Sequence, residues 1–230
     1  MIEKSEDISA VALSCVNLAV YLFSPTLGTF VSIVNPLLQR IFGRAFLMVA
    51  RGNLSEVGRA RLGVTYLRVA KEYNSREGGV SVINRLFLPS LETALYTKAD
   101  EIIESTLWNV VNDSESEKSK IYGQFLGRIP FLEQPPDYSR LIELISILKQ
   151  LTCDEIILLR LLGDKEVHNF SSLELSVHQG SSLENAYQYG RLLHLKSLGL
   201  LIQQAPFVLG TSLGNVRITS LGADLLECLG

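Results

Sequence analysis

Histidine and cysteine are the side chains most often used for metal binding and nucleophilic catalysis, and this chain of 230 residues has three of each. The histidines are His168, His178 and His194. None belongs to an HExxH motif or stands at metal-ligand spacing from a cysteine. The cysteines are Cys15, Cys153 and Cys228, and no two form a CxxC pair. Their odd number and wide spacing predict buried thiols in a reducing compartment, with no metal centre and no disulfide scaffold.

Carboxylates could supply general acid and base catalysis, and Asp100, Glu101 and Glu104 lie close together on one predicted helix. The sequence fixes no histidine or basic residue beside them, so a solvated helix face is the preferred interpretation. The chain also has no GxSxG, Walker or GxGxxG motif. We therefore predict a non-enzymatic protein with no cofactor and no evident small-molecule substrate.

The bulk composition predicts a folded protein with a sizeable core, because 47% of the residues are hydrophobic and 20% are charged. The length allows one large or two small domains. A net charge of −3 gives no overall basic field that would attract nucleic acid. The first seven residues, MIEKSED, carry one lysine against three acids, which is not the basic start of an export signal.

An apolar segment covers residues 8–39, which contain no charged side chain. A membrane-spanning helix needs about 20 apolar residues, and prolines at positions 25 and 36 interrupt this segment. One kinked crossing, a shallow hairpin in lipid and a pair of buried helices all fit this pattern. Buried helices are the preferred interpretation, because the second half of the segment is nearer the length of a core helix.

A basic stretch follows the apolar segment, with eight basic and three acidic side chains in residues 40–77. The positive-inside rule would place it in the cytoplasm, and it could also attract anionic lipid headgroups. The alternative is a solvated helix face. The predicted location is the cytoplasm, with the cytoplasmic face of the inner membrane as the alternative. The residues predicted to contact a membrane or a partner are Leu18, Tyr21, Phe23, Phe30, Arg40, Arg44 and Arg51.

A helical domain is predicted over residues 1–148. One helix follows Ser55 as its N-cap and ends at Gly78, with Arg59, Arg68 and Lys71 toward water. Its predicted apolar face comprises Val57, Ala60, Arg61, Val64, Leu67 and Ala70.

Three more helices complete the predicted helical domain. The first runs from Pro89 to about Asp113, and Trp108, the only tryptophan, is expected to pack in it. Its apolar stripe is Leu91, Leu95, Ala99, Ile102, Ile103, Thr106, Leu107 and Val110. Polar residues 112–120 are predicted as a loop or an exposed helix start, before a short helix that Pro130 ends. The core residues of the last helix are Leu141, Leu144, Ile145, Leu148 and Leu151.

The pattern changes over residues 149–230, which predict a small α+β domain. Thr152 and Glu155 have the spacing of a capping box at a helix start. A second helix near residue 172 and a third closed by Gly199 follow, then two short strands and a last helix. This order of elements is that of a winged helix. The predicted fold class is therefore mainly α: a helical bundle followed by a winged-helix-like domain.

The net charge of this domain argues against nucleic acid as its preferred partner. Residues 151–230 carry five basic and eight acidic side chains, whereas affinity for phosphates needs a basic face. The weak candidates for nucleic-acid contact are Arg191, Lys196 and Arg217. Leu193, next to them in the third helix, is predicted to be in the core. A packing or partner-binding module is the preferred interpretation.

The helical patterns of LSEVGRARLGVTYL, IYGQFLGRI and LTCDEIILLRLL resemble bacterial proteins of the Abi-alpha type, which is associated with abortive infection. The matching positions are Leu54, Ser55, Arg59 or Arg61, Gly63, Tyr122, Gly123, Leu126, Leu151 and Thr152. The resemblance covers most of residues 40–165 and implies a bacterial, defence-related helical protein with a winged-helix-like end. It implies no catalytic residues.

Three functional hypotheses follow from the sequence. The first is a non-enzymatic protein that binds a partner, or itself, through its helical surface or its C-terminal module. The second is a membrane-associated effector that inserts residues 8–39 into the inner membrane. The third is a DNA-binding transcriptional regulator.

Overall fold

The structure is a computed structural model that describes residues 43, 45, 48, 49, 52–74, 86, 87, 96–132, 134, 136–163, 182–203 and 216–230. The described part is mainly helical, with seven α-helices and one small antiparallel sheet of two strands. The chain divides into two compact units. Unit 1 comprises Met1–Lys149 with Leu229, and unit 2 comprises Gln150–Cys228 with Gly230.

Helix α1, Glu56–Asn74, begins where the sequence predicts. The Gly58 amide donates to Ser55 Oγ at 3.1 Å, which makes Ser55 the N-cap. The predicted apolar face of α1 is wrong, because Val57 and Val64 are exposed. The helix instead buries Leu62, Thr65, Val69 and Glu72.

The buried face of α1 is set by two glycines of helix α3, Lys118–Arg128. A Cβ on Gly123 would lie 2.6 Å from the Thr65 carbonyl oxygen, and a Cβ on Gly127 would lie 2.8 Å from Glu72 Cβ. The two helices therefore pack at a distance that only glycine allows. Because this contact joins residues more than 50 positions apart, the periodicity of α1 alone could not reveal it.

Helix α2, Lys98–Asn112, confirms most of its predicted apolar stripe but not its predicted start. The buried residues that belong to the stripe are Ala99, Ile102, Ile103, Thr106, Leu107 and Val110. The helix begins at Lys98, because Thr97 is an extended N-cap that forms a capping box with Asp100. Leu91 and Leu95 lie outside the described residues. Trp108 is 38% exposed and the edge of its ring meets Gly52, so its predicted packing is partial.

The polar stretch before α3 includes the predicted loop, at residues 113–117, and also a buried ion pair that the sequence did not predict. Lys118 is 2% exposed, and its Nζ lies 2.7 Å from Asp113 Oδ2 and 3.0 Å from the Lys149 carbonyl oxygen. The Tyr122 hydroxyl also donates to Asp113 Oδ2, at 2.9 Å. Burial alone would raise the pKa of the Asp113 carboxyl, but the hydrogen bonds from Lys118, the Glu115 amide and Tyr122, with the charge of Lys118, lower it.

Two basic residues of α1, Arg61 and Arg68, make contacts within unit 1. Arg61 donates to the carbonyl oxygens of Val111 and Asp113, at the C-terminal end of α2, where the last carbonyls of the helix need partners. Arg68 pairs with Glu72 at 2.6 Å. These contacts give structural roles to basic side chains that were predicted to face lipid headgroups or water.

The last helix of unit 1 follows a 3₁₀ turn, Ile129–Phe131, that starts the exit from α3 at Pro130. Helix α4 is Tyr138–Gln150. Its predicted core residues Leu141, Leu144, Ile145 and Leu148 are all buried, as is Leu151 beyond its end. A clear stripe of period 3.6 thus identified the buried face of α4 correctly.

Unit 2 contains helix α5, Cys153–Gly163, helix α6, Ser182–Ser197, and helix α7, Ser220–Leu229. Strand β1, Leu201–Gln203, pairs antiparallel with strand β2, Val216–Ile218, and Ile202 lies opposite Arg217. The helix predicted near residue 172, like His168 and His178, lies outside the described residues.

The end of α6 is a Schellman motif built on Gly199, which has a φ of +74°. The Gly199 amide donates to the Lys196 carbonyl oxygen, and the Leu200 amide donates to the Leu195 carbonyl oxygen. The chain then enters β1 directly. Gly199 therefore ends α6, as the sequence predicted.

Candidate protein-binding surface

The outward face of α6, called here the α6 face, consists of Tyr187, Gly190 and Leu193. Tyr187 is 65% exposed and Leu193 is 46% exposed, whereas Leu192 and Leu195 are buried on the opposite side of the helix. Apart from its chain neighbours and the nearby backbone of α6 itself, no described atom lies within 4 Å of the place that a Cβ on Gly190 would take. The prediction that Leu193 is in the core is therefore wrong, and the helix presents two large apolar side chains on either side of an open glycine.

The capping box at the start of α5 also holds α6. The Thr152 amide donates to Glu155 Oε2 at 2.8 Å, and the Glu155 amide donates to Thr152 Oγ1 at 3.2 Å, as predicted. The other oxygen of this buried carboxylate, Oε1, lies 2.7 Å from His194 Nδ1. His194 is thus a partner of the Glu155 carboxylate in packing α6 against α5.

Arg191, one turn before His194 on α6, is used in the same way. Its guanidinium forms an ion pair with Asp154, the neighbour of Glu155 at the start of α5. It also lies over the ring of Tyr187, 4.3 Å from the ring centroid. The Arg191 side chain is only 16% exposed as a result. Two adjacent acids of α5 therefore bind Arg191 and His194 of α6, and Arg191 in turn contacts the ring of Tyr187.

The predicted nucleic-acid contacts are distributed over two elements. Arg191 and Lys196 are on α6, whereas Arg217 is exposed on β2 beside Ile202. Arg191 would have to leave Asp154 and Tyr187 before it could bind a phosphate. Phosphate binding requires a face with several exposed basic side chains. Of Arg191 and Lys196 on the described part of α6, only Lys196 is exposed.

The predicted membrane or partner contacts Leu18, Tyr21, Phe23, Phe30, Arg40, Arg44 and Arg51 all lie outside the described residues, as does the whole segment 8–39. Among the helices that the structure describes, none has the length and apolar character that crossing a bilayer requires. In the described ranges, no three His, Cys, Asp or Glu side chains are grouped so that they could hold a metal ion.

Sequence reasoning overlooked Tyr187 and Leu193, although a helical wheel contains the signal. Positions 192 and 195 point to one side of α6, and positions 187, 190 and 193 point to the other. If the first pair is in the core, the second set must face outward. Comparisons with protein-family models, curated proteins and solved structures found no match to the chain, so the geometry of the α6 face stands without support from relatives.

Proposed function

We propose that this chain is a non-enzymatic binding protein whose C-terminal unit docks another protein through the α6 face. One observation carries the proposal: α6 directs its arginine and histidine into contacts with α5 while it exposes Tyr187 and Leu193. Tyrosine is among the residues that contribute most to protein interfaces. Exposed aromatic and aliphatic side chains bind apolar surfaces of proteins, whereas phosphate binding needs exposed cations.

We propose in addition that unit 2 is a winged helix. The order α5, α6, β1, β2 and α7 supports this fold, together with the short antiparallel sheet that would form the wing. In this fold, α6 occupies the position of the helix that DNA-binding members place in the major groove. The same exposed helix is then available for a protein partner when its surface is apolar.

The partner that the α6 face fits best is a second copy of the chain. Tyr187 and Leu193 each lie three residues from Gly190, about 4.5 Å along the helix axis on opposite sides. If two copies of α6 cross antiparallel at Gly190, Tyr187 of each copy lies level with Leu193 of the other. The open glycine lets the two backbones approach closely. Such a contact is isologous, the symmetry most common in dimers.

The size of the α6 face limits the strength of this dimer. One helix face buries less than the roughly 1,600 Å² of a standard stable interface. We therefore expect a dimer that forms reversibly and dissociates on dilution. The charge of the α6 face does not oppose it, since the Arg191 side chain is already paired with Asp154.

Sedimentation velocity over a concentration series, from about 10 µM to about 1 mM, tests the proposal. The wild-type chain is compared with Leu193→Asp and with the control Leu161→Asp. Leu161 is also an exposed leucine, more exposed than Leu193, but it is on α5. Both variants gain one negative charge in place of an exposed leucine, so the difference between them reports the α6 face.

We expect a monomer–dimer equilibrium for the wild type and for Leu161→Asp, and a monomer for Leu193→Asp at every concentration. A wild-type chain that stays monomeric across the series would refute self-association through α6. Equal loss of the dimer in both variants would show that the contact lies elsewhere.

The setting of this function remains a proposal from the sequence. The Abi-alpha-like pattern supports a role in bacterial defence, and the composition supports a cytoplasmic location. The membrane-effector hypothesis depends on residues 8–39, which lie outside the described residues, and it stays a prediction.

A further inference from the structure

A second surface, on unit 1, combines two aromatic side chains with one carboxylate. The Tyr96 hydroxyl donates to Glu104 Oε2 at 2.7 Å, and the Trp108 indole Nε1 donates to Glu104 Oε1 at 3.3 Å. Tyr96 is 52% exposed and Trp108 is 38% exposed. This set of three residues, called here the aromatic–acid cluster, takes no part in the α6 face.

The cluster is held in place before any partner arrives. Thr97, the residue after Tyr96, is fixed by its capping box with Asp100. The far edge of the Trp108 ring meets Gly52, where an added Cβ would lie 3.1 Å from Cη2. Side chains that are already ordered lose little conformational entropy when they bind, which favours affinity.

The charge of the surrounding helix is negative. Helix α2 carries the acids Asp100, Glu101 and Glu104 against the single base Lys98, which gives −2. Lys98 lies over the ring of Tyr138, 5.0 Å from its centroid. Partial burial, the hydrogen bond to Glu104 and the charges of the neighbouring acids all raise the pKa of the Tyr96 hydroxyl. The aromatic–acid cluster is therefore a place where a cation is favoured.

The acceptor capacity of Glu104 selects the kind of cation. A carboxylate offers about four lone-pair positions, and the hydrogen bonds from Tyr96 and Trp108 use two. A guanidinium can donate to the remaining positions and also contact aromatic rings. A quaternary ammonium has no N–H to donate, and a lysine ammonium lacks the planar fork.

We propose that the aromatic–acid cluster of Tyr96, Glu104 and Trp108 binds an arginine side chain of a partner protein. The partner segment would place its guanidinium against Glu104, with the two rings beside it. Charge complementarity between this acidic helix and a basic peptide segment is the basis for choosing this occupant.

The single tryptophan makes the proposal directly measurable, because Trp108 fluorescence reports on the cluster alone. The full chain is titrated with a short glycine–serine peptide that carries two arginines. Matched peptides carry two lysines or two glutamines in their place. The variants are Glu104→Gln and the control Glu117→Gln, which removes the same charge from an exposed N-cap residue without a capping hydrogen bond.

We expect a saturable change of Trp108 fluorescence with the arginine peptide, in the wild type and in Glu117→Gln alike. Binding to Glu104→Gln should be weaker by about tenfold, because a charge-assisted hydrogen bond is lost. Tyr96→Ala, outside any helix, should also weaken binding and gives an independent test if Glu104→Gln does not fold by circular dichroism.

Three results would overturn the proposal. The first is no saturable response of the wild type to the arginine peptide. The second is the same affinity for the arginine, lysine and glutamine peptides. The third is an equal loss in Glu104→Gln and Glu117→Gln, which would mean attraction to net charge and no defined site.

Discussion

Replacement of Lys118 by methionine should destabilise unit 1 strongly, because the buried ammonium of Lys118 is the main partner of Asp113. Lys118 Nζ contacts Asp113 Oδ2 and the Lys149 carbonyl oxygen, and it lies 5.5 Å from the centroid of the Tyr122 ring. Methionine keeps most of the side-chain volume, so little of the effect comes from a cavity. What remains is a carboxylate, 6% exposed, that has lost its counter-charge.

The magnitude follows from the cost of a buried charge that has lost its partner. Removal of one member of a buried ion pair costs about 3–5 kcal/mol in free energy of unfolding. Domains have stabilities of only about 5–15 kcal/mol, so Lys118→Met is expected to approach the limit of folding. The remaining hydrogen bonds from Tyr122 and the Glu115 amide to Asp113 place the expected loss at the lower end of this range.

Urea unfolding followed by Trp108 fluorescence measures this loss in unit 1 specifically, since the chain has one tryptophan. The matched control is Lys120→Met, two residues further along α3 and exposed. The control should change the free energy of unfolding by less than about 0.5 kcal/mol. If Lys118→Met and Lys120→Met lower the stability equally, the ion pair with Asp113 contributes nothing, and the reasoning fails.

Three further predictions concern the Asp113 carboxylate, a pair of helix glycines and a helix cap. Because the folded pKa of Asp113 is lowered, its stabilisation is complete above its unfolded pKa of about 3.9 and is lost as the pH falls through the folded value. Acid unfolding of Asp113→Asn, followed by circular dichroism, should therefore be less steep than that of the wild type; an identical slope would contradict this assignment. Gly123→Ala should destabilise the folded chain by about 1–3 kcal/mol, because the new Cβ meets the backbone of α1. Gly190→Ala should stabilise it by about 0.5–1 kcal/mol, because the new Cβ enters open space. If thermal unfolding shows a change of the same sign for both variants, the packing described here is contradicted. Thr97→Ala should lower the stability of unit 1 by about 1 kcal/mol in urea unfolding, and no change would mean that the capping box is not formed in solution.

Local patterns predicted the elements that depend on local physics. The stripe of α2, the core side of α4 and the capping box of Thr152 and Glu155 each use positions within a few turns of one another. Gly199 likewise marks the end of α6 because the left-handed backbone region favours glycine.

Distant contacts explain where the predictions failed. The buried face of α1 is chosen by Gly123 and Gly127, and the partner of Arg191 is 37 positions away in Asp154. Neither relation has a periodicity that can be read along the chain. The start of α2 is a different case, because Thr97 and Asp100 do have the spacing of a capping box. Apolar residues before Thr97 continue the helical pattern, so the sequence predicted an earlier start.

The exposed leucine of α6, Leu193, lies where composition alone predicts a core residue. Leu192, Leu193 and Leu195 are equally apolar, so composition alone assigned all three to the core. Only two of them can face the same side of a helix, and Leu193 is directed to the surface. An apolar residue that breaks the pattern of the buried face is therefore the signal that identifies the α6 face.

Disulfide trapping at position 190 tests the central claim, an antiparallel α6 pair, most directly. In that pair the two copies of residue 190 face each other, and Gly190→Cys should form a disulfide between copies, since such bonds need Cα atoms within about 7 Å. The control Lys196→Cys places the two thiols about 18 Å apart along the helix axis. We expect mild oxidation to give a dimer in which mass spectrometry identifies a 190–190 link, with little linking at 196. Equal linking at both positions, or none at 190, would contradict the account.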